Sequence, residues 1–147
     1  MLRRLMPVQA LACLGLCVGS ACQTRAQECQ QFIGRVNQSL REMDARPQPK
    51  ADDLAAIANH RKLLAERYRD LAKEVQALAL TEPELVSRAK QYAGLAEQAS
   101  AALSQGAKAL NDQNPEAAEA SQQQFDRVAE QEAVLVAEIN RFCLGQP

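Results

Sequence analysis

The chain's capacity for chemistry rests on five cysteines, one histidine and a few polar residues set on otherwise apolar helix faces. The cysteines fall into three groups. Cys13 and Cys17 lie in an N-terminal apolar run, Cys22 follows it, and Cys29 and Cys143 stand near opposite ends of the remainder. Cys-x-x-Cys, Glu-x-x-His and His-x-x-x-His spacings are all missing, so the convergent ligands of a metal centre are not expected. His60 reads as a solvated helical histidine. Haem ligation by Met43 and His60 matches helical cytochromes in residue type alone, because no Cys-x-x-Cys-His attachment motif accompanies the pair. Serine or cysteine nucleophiles lack a local motif. No catalytic residue, metal or cofactor is therefore expected, and the protein is not read as an enzyme.

Tyr68, Tyr92 and Glu132 form the candidate buried polar cluster. Counted by helical rise from the end carrying Cys29 and Cys143, all three stand at about 15 to 18 Å, each on the apolar stripe of a different helix. A buried glutamate accepting tyrosine hydrogen bonds would fix helix register at some cost in stability. The preferred expectation is plainer: helix four turns slightly to use Ala129 and Val136, leaving Glu132 at the rim.

Four amphipathic helices must position these residues. Thr24-Arg25-Ala26-Gln27 has the spacing of a capping box, and Cys29, Ile33, Val36, Leu40 and Met43 recur at four and three residues, giving a first helix over about 27–44. Pro47 and Pro49 end it. Asp52 or Asp53 caps a second helix over about 53–80, striped by Ile57, Arg61, Leu64, Tyr68, Leu71, Val75 and Leu78. Thr81 to Glu84 reads as another capping box, opening a third helix over about 82–111. Asn114-Pro115-Glu116 starts a fourth over about 115–143, and Gly145 is placed to stop it.

The fold class is thus all-α. Short turns between the last three helices predict an up-down-up-down antiparallel four-helix bundle. That topology places the start of helix one beside the end of helix four and predicts a Cys29–Cys143 disulfide joining the termini. Closing a loop of ~115 residues in this way contributes roughly 4 to 5 kcal/mol in the chain-entropy model. The first helix is expected to be short, reaching about two thirds of the height of helices two and three. Beyond its end three helices would pack alone through alanine-rich faces, with the segment 46–51 covering the gap.

Residues 1–21 read as a signal peptide: Arg3-Arg4, an apolar run from Ala10 to Val18, then small residues. The run is shorter than the roughly 20 apolar residues needed to span a bilayer. At Ser20-Ala21-Cys22 the chain resembles a bacterial lipoprotein precursor, in which small residues precede the cysteine that receives the lipid. The resemblance covers the first 22 residues only. It implies lipidation of Cys22 and, with Gln23 rather than Asp after the anchor, an outer-membrane location. The alternative is cleavage after Ala26, giving a soluble periplasmic or secreted protein. Either route leaves Cys29 and Cys143 as an even pair for an oxidising compartment.

Removing residues 1–21 takes away Arg3 and Arg4 and no acid, leaving 15 basic against 18 acidic residues, net −3. Nucleic acid is not an expected partner. Residues 22–147 make one domain, rich in Ala, Leu, Gln and Glu and without Trp, a composition that favours helix and a thin core. The expected function is structural or protein-interacting, with the membrane as a partner through the lipid and a further protein partner. The alternatives are a small-molecule or metal carrier using the bundle interior, and a holdase-like periplasmic chaperone.

Overall fold

The computed structural model describes residues 19–145, with side chains from Arg25 onward. Residues 1–18 of the signal-peptide reading lie outside that range, and the side chain of Cys22 is not among those described. Helices α1 (Gly19–Asp44), α2 (Leu54–Gln76), α3 (Pro83–Asn111) and α4 (Pro115–Cys143) run up, down, up and down as a four-helix bundle, with no strand among the described residues. None of these helices is long and apolar enough to cross a membrane.

One core joins the helices. Phe32, Val36 and Leu40 of α1, Leu71 and Val75 of α2, Leu85 and Tyr92 of α3, and Leu135 and Ile139 of α4 are all buried in it. Within each helix these residues are spaced by four or seven positions, which places them on one face. At the end where the termini meet, Cys29 and Cys143 form the expected disulfide, with Cα atoms 5.8 Å apart across a sequence separation of 114. The Arg25 guanidinium closes the same end. It stacks 4.3 Å from the centroid of the Phe142 ring and donates to the Phe142 carbonyl.

The first helix is not short. Its 26 residues exceed the 23 of α2, because Thr24–Gln27 does not act as a start signal. No proline lies between Gly19 and Thr24, and Ala21, Gln23, Arg25 and Ala26 are helix formers that carry the coil back to Gly19. Past Asp44, helices α2, α3 and α4 continue with small buried residues, among them Ala58, Ala102, Gly106, Ala107 and Ser121. The connecting segment 46–51 does not cover that end: only Arg46 and Pro49 are half-buried, and the rest is exposed.

Caps account for most boundaries. Asp53 accepts from the Ala56 N–H at 2.9 Å and Asn114 from the Ala117 N–H at 3.0 Å, each satisfying a free donor of the first helical turn. At the end of α3 the Asn114 N–H reaches back to the Ala109 carbonyl at 2.9 Å, with Gln113 at φ 54° between them. This is a Schellman closure with glutamine in the left-handed position that glycine usually fills. Helix α2 stops at Gln76, short of the expected Leu80. Leu78 and Leu80 turn inward and pack against the core, while Pro83 forces Glu82 into an extended backbone at ψ 114°.

Candidate functional site

Tyr68, Tyr92 and Glu132 are all buried and line one small cavity. Tyr68 comes from α2, Tyr92 from α3 and Glu132 from α4, and their relative exposures are 3%, 1% and 8%. The Tyr92 hydroxyl donates to Glu132 Oε1 at 2.7 Å. Glu132 therefore does not lie at the rim. Val136 is buried and Ala129 half-buried, as a turned helix would place them, yet Glu132 points inward too, because α4 meets two neighbours and its covered face is wider than one stripe. The aromatic rings are held from the side. Phe32 of α1 meets Tyr92 edge-on with centroids 5.7 Å apart, and Phe125 of α4 meets Tyr68 at 6.1 Å.

Burial sets the electrostatics of this layer. Loss of water pushes the Glu132 carboxyl above its ordinary 4.5, and the Tyr92 hydrogen bond opposes that shift only in part. Both phenols are pushed well above their ordinary value by burial first and by the neighbouring Glu132 second. The Tyr68 hydroxyl makes no hydrogen bond to a protein atom. Between the three residues is a narrow cavity with a water-accessible volume of about 10 Å³. Such an arrangement can hold a proton and fix a register. It has no room for an organic substrate, since ligand pockets run to hundreds of Å³.

A second polar site was not expected. Glu28 of α1, 8% exposed, accepts from the Thr81 N–H and the Glu82 N–H at 2.9 Å each and from Thr81 Oγ at 2.5 Å. It thereby caps the start of α3 from another helix. The Thr81–Glu84 box is not formed: Glu82 is the cap residue and its side chain makes no capping bond, while Glu84 turns outward to Arg88 at 2.7 Å. The Thr81 hydroxyl bond, more than the backbone bonds, holds the Glu28 carboxyl below its ordinary value.

No family model, curated protein or solved structure matches the chain.

His60 is half-buried near the start of α2 and Met43 is buried at the end of α1. Among the described residues no group of three or more histidine, cysteine or acidic side chains could hold a metal ion. Arg61 is a residue whose role the stripe did not reveal. It crosses from α2 over Gly106 of α3 to donate to Gln122 of α4 at 2.9 Å. The signal was there in outline: a charged residue on an apolar stripe, opposite the single glycine on the facing one.

Proposed function

We propose that this chain is an exported, lipid-anchored helical bundle with a structural or protein-interacting role and no bond-making chemistry. The observation that carries the reading is the Cys29–Cys143 disulfide, which belongs to an oxidising compartment and matches the export pattern of residues 1–21. The small-residue sequence ending at Cys22 supports an anchor on that cysteine, and Gln23 after it supports the outer membrane.

The interaction role is favoured over the alternatives by the surfaces available. A carrier would need more space than the cavity beside Tyr68 and Glu132, which admits a single water. A holdase would need a broad exposed apolar groove. The groove at the alanine-rich end interleaves Ala109, Ala117 and Ala120 with Gln105, Lys108, Asp112 and Gln124, and no bulky apolar side chain lines it. Among the described residues the large exposed apolar side chains are Leu54, Val134 and Leu144, on α2, on α4 and just past the end of α4.

Intact mass of the protein isolated from its native host, before and after reduction, tests the reading. The expected species begins at Cys22, carries acyl chains and gains two hydrogens on reduction. A species beginning at Gln27 with free thiols at Cys29 and Cys143 would overturn it.

A further inference from the structure

Tyr68 presents a physical problem that the protein atoms leave unsolved. Its side chain is 3% exposed and its hydroxyl has no protein partner, whereas buried hydroxyls in native proteins are almost always bonded to protein or to ordered water. The residue lines a cavity shared with Tyr92, Leu95, Ala96, Val128 and Glu132, whose water-accessible volume of about 10 Å³ stands at the threshold for one water molecule. A water at such a site needs two or more polar partners. Tyr68 offers a donor, and the Glu132 carboxyl retains acceptor capacity beyond the bond it receives from Tyr92. A hard cation is a poor fit, since one carboxylate and two phenols fall short of the six or more oxygens that calcium takes.

We propose that this cavity is a binding site for one structural water, which accepts from the Tyr68 hydroxyl and donates to the Glu132 carboxyl. The water completes a relay that runs from α2 through Glu132 of α4 to the Tyr92 hydroxyl of α3. Three helices are then tied at a single level by four polar groups, each with a partner. Directional bonds of this kind distinguish one register from its neighbours, which apolar packing of Leu and Ala does weakly. The tie also explains why a carboxyl is tolerated on the core face of α4: the water supplies part of the solvation that burial removes.

A high-resolution crystal structure of the protein, together with water-to-protein magnetisation transfer measured by NMR, tests the proposal. The expected result is an ordered water about 3 Å from both Tyr68 Oη and a Glu132 carboxylate oxygen, with a transfer signal to the methyl groups of Val128, which lines the cavity. In Tyr68→Phe that signal is expected to disappear, and in Tyr92→Phe to persist. A dry cavity in the unsubstituted protein, or Tyr68 Oη bonded directly to a protein atom, overturns the proposal, as does a transfer signal unchanged by Tyr68→Phe. The crystal structure of the unsubstituted protein is decisive even if a variant does not fold.

Discussion

Two buried carboxyls give stability opposite dependences on pH. Glu132 binds its proton more tightly in the folded chain than in the unfolded one, so the folded state is favoured when the group is protonated. Its contribution is present below about 4.5 and is lost as pH rises toward the raised folded value. Glu28 is the reverse: its caps on Thr81 and Glu82 favour the ionised form, so its contribution is present above about 4.5 and fades as pH falls through the lowered value. Glu132→Gln keeps an acceptor for Tyr92 and is expected to remove the loss above 4.5, raising the unfolding midpoint at neutral pH. Glu28→Gln is expected to lower the midpoint at neutral pH and to flatten the acid limb. Thermal unfolding of the three proteins across pH 3 to 8 checks both signs, and parallel profiles would refute the assignment.

Among the helices, two glycines that look alike in sequence behave differently. A Cβ at Gly34 meets nothing within 4 Å, so Gly34→Ala in the exposed middle of α1 is expected to stabilise by about 0.5 to 1 kcal/mol. A Cβ at Gly106 would come within 2.5 Å of Arg61 Nη1 and 2.7 Å of Ser121 Oγ. Gly106→Ala is therefore expected to bring no gain, because Arg61 must leave its bond to Gln122. Arg61→Ala and Gly106→Ala together should cost less than the sum of the two, as read in a double-mutant cycle by denaturant unfolding. Element existence was legible because the stripes repeat every three to four residues between clear proline and asparagine breaks. The cap of α3 was not: Thr81 and Glu84 have the local spacing of a box, and the winning partner, Glu28, lies 53 residues away. The same limit applies to Glu132, whose flanking Ala129 and Val136 fit an inward face as well as it does.

For the molecule as a unit, the pairing of Cys29 with Cys143 was legible from parity and topology together, since an even number of antiparallel helices returns the chain to where it began. Cys29 is fully buried and its partner half-buried, so a reductant reaches the bond mainly when that end of the bundle opens. Cys29→Ala with Cys143→Ala, or complete reduction, is expected to lower the unfolding free energy by up to about 4 to 5 kcal/mol, measured by denaturant titration with and without reductant. An unchanged midpoint would show that α1 docks without its crosslink. The outer ion pairs are secondary to this. Arg67 bridges Glu42 and Glu74 at 2.7 and 2.8 Å, and Arg88 bridges Glu84 and Glu138 at 2.7 and 2.6 Å; pairs of this partly exposed kind contribute about 0 to 1 kcal/mol each.

Helix α1 is one uninterrupted coil on both sides of Cys29. An anchor on Cys22 would therefore act on the protein through a stiff helical lever of about 10 Å, the seven residues up to Cys29, in place of a slack tether. Torque applied at that lever would pass through the sulfur crosslink into the last helix as well as the first, so both ends of the bundle would turn together.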